Sequence, residues 1–329
     1  MISSEPAAQR DALSLPTGEE VAQARERIRG TAIRSPLIRL DAERSGARIF
    51  LKLENLQPLG SFKIRPAQNL VASLSADSLR RGVLTASAGN FALGLAFAAR
   101  ARGIAAAAVV PDAAAATKAE ALERLGAKVI RVPFDVWWQA LTSRSFAGET
   151  GRFVHPVAEP GVLAGNATIG EEILEDLPDC DAVIAPFGGG GLICGIGSVM
   201  RRHRPAVRMI AVESEAALPA AAALSAGKPA AVAHRQSFVD GMGSARVLEE
   251  MWPLVHAVAD SAVCASFGDI ADAIRLLALR HRIIAEPAGA AGVAAALAGA
   301  GNGNVVCIVS GGNIDAPKLG AILNGQNPF

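Results

Sequence analysis

The sequence predicts an α/β fold built on open, mostly parallel, twisted sheets covered by helices on both faces. Three observations predict it. Short apolar runs alternate along the chain with longer segments of helical period. The 329 residues are 51% hydrophobic, enough for a large core in one big domain or two packed ones. Glycine-rich or small polar turns follow three of the apolar runs, at strand ends where open α/β sheets take up ligands.

The elements follow in order. Thr17 with Glu20 forms a capping box and Gly30 a C-terminal cap, which gives a helix over 18–29. Predicted strands span 49–53, 83–86, 104–110, 128–132, 182–186, 207–212 and 304–309. Between them the period predicts helices that include 91–102, 117–125, 169–177, 192–203, 268–281 and 316–323, with one more beginning after Lys63. Strands alternating with helices imply parallel sheets buried on both faces. There is no tandem repeat, heptad pattern or low-complexity linker. Alanine enrichment in 96–116 and 216–233 is bias within elements.

Composition excludes several classes of function. A net charge of +1 leaves no electrostatic footprint for nucleic acid or an anionic membrane, and the run Arg201, Arg202, Arg204 reads as a solvated helix end. Cys180, Cys194, Cys264 and Cys307 lie far apart among apolar residues, as reduced core thiols of a cytoplasmic protein would. The stretch from Met1 to Thr17 mixes Glu5, Arg10 and Asp11 and lacks the apolar core of a signal peptide. Pro219, Lys228 and Pro229 break the alanine-rich run, so it should not span a bilayer. His155, His203, His234, His256 and His281 have no ligand-like spacing and are expected to be structural or exposed.

Gly188 to Gly191 follow the strand 182–186 and precede a helix near Leu192. Four glycines expose successive backbone N–H groups and leave room for an anion at a helix N-terminus, a setting that suits a phosphate. The dinucleotide pattern G-x-G-x-x-G fails here, because frames starting at Gly188, Gly189 and Gly195 end on Ile193, Cys194 and Met200. A P-loop is absent too, since Gly227-Lys228 runs into Pro229, and neither G-x-S-x-G nor H-E-x-x-H occurs. Lysine is scarce, and Lys63 sits in a loop between Gly60, Phe62 and Ile64. Apolar neighbours desolvate an amine, lower its pKa and make it a Schiff-base nucleophile. A phosphate loop, a desolvated lysine and no nucleotide pattern together point to pyridoxal 5'-phosphate.

From about Arg34 to Asp315 the chain resembles the serine/threonine dehydratase (threonine ammonia-lyase) family of fold-type II, tryptophan synthase β-like pyridoxal-phosphate enzymes. The resemblance rests on Leu53-Glu54 with Gln57, Gly60-Ser61-Phe62-Lys63, Ser87-Ala88-Gly89-Asn90, His155-Pro156, Gly165, Thr168 and Gly188 to Leu192. Val212-Glu213, Asp240-Gly241, Glu286 to Ala290 and Ser310 to Asn313 continue it in the same order. It implies two open sheets, a large cofactor domain over 1–73 and 159–329, and a small domain over 74–158 that closes on the substrate. It implies a homodimer and the elimination of water from a β-hydroxy amino acid. A β-replacement or threonine-synthase-like enzyme is the alternative, and a non-catalytic binder of the cofactor or an amino acid a more distant one.

The same resemblance implies roles. Lys63 would hold the cofactor as a Schiff base and, once released, act as the base at Cα. Phe62 would lean on the ring, Asn90 would bond its phenolic oxygen, and Gly188, Gly189, Gly190, Gly191 and Leu192 would hold the phosphate. Glu286 would line the cofactor site, and Ser310 would face the pyridine nitrogen. Ser61, Ser87, Ala88, Gly89, Asn90 and Phe91 would bind substrate. A neutral hydroxyl at Ser310 makes the ring a weak electron sink, which favours β-elimination over transamination.

Departures refine the expectation. Pro66 stands where the family usually has glycine, and Phe91 where many relatives have histidine. Ala88 takes the place of the serine that racemases use as a second acid/base, so racemisation is not expected. Relatives with a divalent-cation site supply a glutamate and an aspartate six residues on. Here the pair is Glu213 and Pro219, so no metal is expected. Trp137 and Trp138, or Phe91, offer walls for an aryl side chain such as that of phenylserine; Arg131 and Arg144 offer a partner for the second carboxylate of 3-hydroxyaspartate. The absence of a regulatory domain after Asn313 suggests a catabolic role.

Overall fold

The computed structural model describes residues 12–42, 46–87, 89–112, 114 and 116–326. It contains two separate sheets, as the resemblance implies. The larger has six strands: β1 (Leu37–Arg39), β2 (Ala47–Lys52), β7 (Ala182–Pro186), β8 (Arg208–Ser214), β9 (Ser261–Ala265) and β10 (Gly303–Ile308). Their order is β1-β2-β10-β7-β8-β9, and every pairing is parallel except β1 with β2. The smaller sheet has β3 (Val83–Ala86), β4 (Ala106–Pro111), β5 (Lys128–Val132) and β6 (Arg152–Phe153), all parallel in the order β5-β4-β3-β6.

Thirteen α-helices join these strands within the described residues. The first seven are α1 (Gly18–Ile28), α2 (Ile64–Ser73), α3 (Ala76–Leu79), α4 (Asn90–Arg100), α5 (Ala116–Arg124), α6 (Phe134–Ser143) and α7 (Pro160–Asp176). The others are α8 (Gly191–His203), α9 (Pro219–Ala226), α10 (Trp252–Val258), α11 (Phe267–Leu276), α12 (Pro287–Leu297) and α13 (Ala316–Leu323). None is long and apolar enough to cross a membrane.

Strand side chains alternate between two cores, as the two-residue period of a strand requires. Ile184, Val305 and Cys307 face the core that holds α11 and α12, while Val183, Ala185, Val306 and Ile308 face the one built with α8 and α10. Buried on both faces, these strands read as unbroken apolar runs, which is why they stand out in the sequence. The capping box is present: Thr17 Oγ1 accepts from the Glu20 N–H, and Glu20 reaches back to the Thr17 N–H.

Several elements differ from expectation, each for a physical reason. The period predicts only 169–177, yet α7 starts at Pro160. From Val162 to Gly170 every residue is buried, so this stretch carries no exposed polar face to betray a helix. The alanine-rich α12 escapes for the same reason. The predicted helix 268–281 ends as α-helix at Leu276 and finishes in a π-helical turn, Leu277–His281. Strands β1, β6 and β9 are short or lie at an edge and give a weak apolar signal. Because β9 is an edge strand, Cys264 is exposed and not a core thiol, whereas Cys180, Cys194 and Cys307 are buried as expected.

One buried cluster ties the two ends of the Lys63 loop to the helix layer. The Arg65 guanidinium bonds both oxygens of Glu54, each at 2.8 Å, and both of Glu172 at 2.7 and 2.8 Å. Lys52 Nζ lies 2.7 Å from Glu172, so two cations face two anions almost out of contact with water. Pro66 also finds its account here. It lies in the first turn of α2, where a helix needs no N–H donor, and a Cβ on Gly165 would come 2.5 Å from its Cα. Arg65→Ala would strand Glu54 and Glu172 without their shared cation, a loss of about 3–5 kcal/mol. Arg29→Ala at an exposed pair should cost less than about 1 kcal/mol. Urea unfolding of the two variants checks this, and equal midpoints would refute it.

Candidate active site

Parallel pairing of β2, β10 and β7 sets the carboxyl ends of these strands on one edge of the large sheet. The loop bearing Lys63, the Ser310 turn and the glycine loop leave from that edge. Backbone bonds lock the first two together: the Phe62 N–H donates to the Ser310 carbonyl at 3.0 Å, and the Gly312 N–H to the Gly60 carbonyl at 2.8 Å. Ser61 and Gly311 form a bridge between them. Ser61 and Ser310 are both buried, and the Ser61 hydroxyl has no hydrogen-bond partner.

Lys63 is the N-cap residue of α2. Its Nζ lies 4.8 Å from the centre of the Phe62 ring and 5.7 Å from that of Phe91. Burial pushes its pKa down to about 8, against the pull of the Glu286 carboxylate. Glu286, at the N-cap of α12, is pushed up to about 7 by burial, and the hydrogen bond from Asn90 partly offsets that rise. Asn90 Nδ2 donates to the two Glu286 oxygens at 2.9 and 3.1 Å, and Asn313 Nδ2 donates to Asn90 Oδ1 at 2.8 Å. Asn90 opens α4, beside the small sheet, so this chain of amides joins the two sheets across the cleft.

Glycine is required where these groups crowd the backbone. A Cβ on Gly311 would fall 2.5 Å from Glu286 Oε1, and one on Gly289 would fall 2.4 Å from the Gly311 carbonyl oxygen. In the Gly188–Gly191 loop, Gly190 has φ +90° and caps α8, while a Cβ on Gly189 would meet Val157 at 2.8 Å. Val157 is set by His155, whose Nδ1 accepts from the N–H groups of Val157 and Ala158. That is a structural role for the histidine, as expected. Leu192, in the first turn of α8, is buried.

Ser87 and Gly89 lie at the end of β3, where the Gly89 N–H reaches Ser87 Oγ at 3.4 Å; Ala88 lies outside the described residues. Phe91 does not wall an open pocket. Its ring is packed in a core cluster with Leu70, Leu95 and Val154. Trp137 and Trp138 pack with Phe134 on α6, with ring centres 5.4 and 6.2 Å apart, against the core of the small sheet. Arg144 is held by Glu159 and Glu250 and is not free for a substrate carboxylate, whereas the exposed Arg131 makes only 3.4 Å bonds to the carbonyls of Asp112 and Ala114. The Glu213 carboxylate accepts the N–H groups of Ala220 and Ala221 at 2.6 and 2.9 Å, and so caps α9. Among the described residues no group of three or more His, Cys, Asp or Glu side chains is placed to hold a metal.

Two contributors are not apparent from the residue pattern. Asn313 belongs to a recognisable turn, yet its link to Asn90 is visible only in space. Asn166, fully buried on α7 beside the glycine loop, has neither amide atom partnered. Its signal in the sequence is slight: one polar amide in the apolar first half of α7.

A near-neutral lysine, a glycine loop capping a helix and a carboxyl-amide network on one sheet edge define a pyridoxal-phosphate enzyme of fold-type II. Residues 28–311 match the family described as pyridoxal-phosphate dependent enzyme. The chain is 38% identical over 315 residues to the L-threonine ammonia-lyase of Thermotoga maritima, across 94% of this chain and 78% of that protein. It is 36% identical to the catabolic L-threonine dehydratase of Staphylococcus aureus, across 94% of this chain and 92% of that one. The fold matches threonine deaminase isoform 2 of Solanum lycopersicum with a TM-score of 0.83 at 31% identity, covering 98% and 99% of the two chains. This chain therefore belongs to the serine/threonine dehydratase family of pyridoxal-phosphate-dependent lyases.

The residues present fit that cofactor. Burial lowers the pKa of Lys63 to about 8, a Cβ on Gly189 or Gly190 would clash at 2.8 and 2.9 Å, and the unpartnered Ser61 hydroxyl and Asn166 amide are polar groups of the kind a ligand satisfies. Burial of Glu286 has a consequence for stability. Its ordinary pKa is 4.5 and its folded value about 7, so between those limits the folded protein binds more protons than the unfolded chain. Stability from this group therefore falls as pH rises through that window, by about 2–4 kcal/mol. Glu286→Gln abolishes the fall, so the variant should gain on the wild type by that amount from pH 5 to pH 8. Urea unfolding of the cofactor-free proteins across that range measures it, and parallel pH curves would contradict it.

Proposed function

We propose that this enzyme eliminates water from serine or threonine, releasing a 2-oxo acid and ammonia. The observation that carries the reading is the Lys63 amine, poised near pKa 8 beside the Glu286–Asn90–Asn313 network at the edge of the large sheet. The relatives named threonine ammonia-lyase, threonine dehydratase and threonine deaminase support it. When bound, pyridoxal phosphate supplies the carbonyl that captures the amino acid and a ring that withdraws electrons from Cα. Lys63, half neutral near pH 8, is suited to take the Cα proton. Gly188 to Leu192 would hold the phosphate, Phe62 would lie against the ring and Ser310 would meet its nitrogen. Ser61, Ser87, Ala88, Gly89 and Asn90 would receive the substrate carboxylate, with the first N–H groups of α4 contributing. Ala88 carries no proton to return to the opposite face, which favours elimination over racemisation.

The ion-paired state of Arg144 and the buried Phe91 ring favour a small side chain over that of 3-hydroxyaspartate or phenylserine. Residues 74–158, with the small sheet, form the lobe that closes on the substrate. The Lys118–Asp240 pair, 2.7 Å apart, supports this, since it joins α5 beside the small sheet to the loop that precedes Gly241. A homodimer and a cytoplasmic location complete the proposal; the buried, unpaired thiols of Cys180 and Cys194 suit a reducing compartment.

Lys63→Ala should remove the visible absorbance band of the bound cofactor and lower 2-oxo acid formation at least about 10³-fold. Persistent turnover would overturn the reading. A panel of serine, threonine, phenylserine and 3-hydroxyaspartate should show turnover on the first two, and a product that forms only with an added nucleophile would point to β-replacement. Asp240→Asn should raise KM several-fold with a smaller effect on kcat; an unchanged KM would argue against closure through this pair.

A further inference from the structure

Asn166 sits in the middle of α7, facing α8, and none of its surface reaches solvent. Both its amide nitrogen and its carbonyl oxygen lack a hydrogen-bond partner. An amide hidden from water without a partner is costly, and an apolar side chain of the same shape would avoid that cost. Packing alone therefore does not explain the residue.

Its surroundings say where the amide is directed. The two helices touch backbone to backbone at this level: a Cβ on Gly195 would lie 2.6 Å from Asn166 Cβ, 2.8 Å from the Leu163 carbonyl oxygen and 2.9 Å from the Ala167 nitrogen. Asn166 Nδ2 then lies 3.5 Å from the point a Cβ on Gly191 would occupy. Gly191 is the first residue of the thirteen-residue α8, directly after the left-handed Gly190. A fully buried carboxamide with an unpartnered amide nitrogen thus lies beside the first residue of this helix. Such a helix start already attracts an anion.

We infer that Asn166 is an additional anchor for the cofactor's phosphate, donating from Nδ2 alongside the N–H groups of the glycine loop. The inference rests on the functional reading above and adds a side chain to a cradle otherwise made of backbone. A neutral donor suits the position, because it binds the anion without adding a charge that would be buried alone whenever the loop is empty.

The test uses the full-length protein stripped of cofactor, with Asn166→Leu and Asn166→Asp. Leucine keeps the volume and removes the donors, and it should fold at least as well as the wild type because it removes an unsatisfied amide. Aspartate keeps the shape and sets a carboxylate against the anion. Three quantities are read: affinity for pyridoxal phosphate and for pyridoxal from quenching of tryptophan fluorescence, and the rise in melting temperature of the cofactor-free protein with inorganic phosphate. Asn166→Leu should weaken cofactor binding about tenfold and Asn166→Asp about a hundredfold, and both should lose the phosphate-dependent rise. Affinity for pyridoxal, which lacks the phosphate, should stay within about twofold of the wild type in the leucine variant. The inference is overturned if the leucine variant is stabilised by phosphate as much as the wild type, or if it loses pyridoxal and pyridoxal phosphate affinity equally. A wild type that binds neither phosphate nor cofactor would instead bring down the functional reading, and this inference with it.

Discussion

The buried guanidinium of Arg65 is the interaction on which the rest of the site depends. It clamps Glu54, at the end of the β2 loop, to Glu172 on α7, and its own helix begins one residue after Lys63. Lys52 completes the balance of charge from β2. A buried pair of this kind adds little net stability over an apolar packing, yet removing one partner is severe, so it specifies geometry more than it adds energy. Here the geometry is the placement of Lys63. Arg65 Nη1 also reaches Thr168, two residues from Asn166 on the helix that packs against the glycine loop. The Lys63 loop and the helix beside the glycine loop are therefore tied through one buried cluster.

Chemistry follows from what that unit leaves dry. Lys63 and Glu286 are both moved toward their neutral forms by burial, the lysine downward and the acid upward. A neutral amine accepts a proton, and a neutral carboxyl group donates a hydrogen bond that a carboxylate cannot. Asn90 lies against the acid and is itself held by Asn313, so the Glu286 carboxyl group, the orientation of the Asn90 amide and the turn after Ser310 form one coupled network. The network crosses from the large sheet to the first turn of α4. Movement of the small sheet relative to the large one would therefore be felt at Glu286.

Much of this was legible in the residues alone. The strands of the large sheet announce themselves because burial on both faces leaves unbroken apolar runs, and the Gly188–Gly191 loop because few other uses require four glycines. Lys63 emerged from its apolar neighbours and the scarcity of lysine. The helices that escaped share a cause: α12 and α7 from Val162 to Gly170 are buried and so have no polar stripe to reveal their period. Side-chain partnerships were equally hidden. Arg144 reads as an available cation until Glu159 and Glu250 are seen beside it, and nothing in the residue pattern shows that the Glu213 carboxylate caps α9. A sequence shows which charges exist, and only the fold shows which are already spoken for.

The glycines explain why the site was readable at such distances along the chain. At Gly60, Gly289, Gly311 and Gly189 an added methyl group would collide with a backbone carbonyl or with a side chain pinned by its neighbours. These positions are set by close approach between segments far apart in sequence, which ordinary side-chain packing could satisfy in many ways. Gly311 is the clearest case: a Cβ there would strike Glu286 Oε1 and crowd Ser61, so the Ser310 turn, the acid and the Lys63 loop can meet only around a bare backbone. A side chain at Gly311 would separate the acid from the lysine it faces, so the short glycine turns carry more of the site's identity than the larger residues around them.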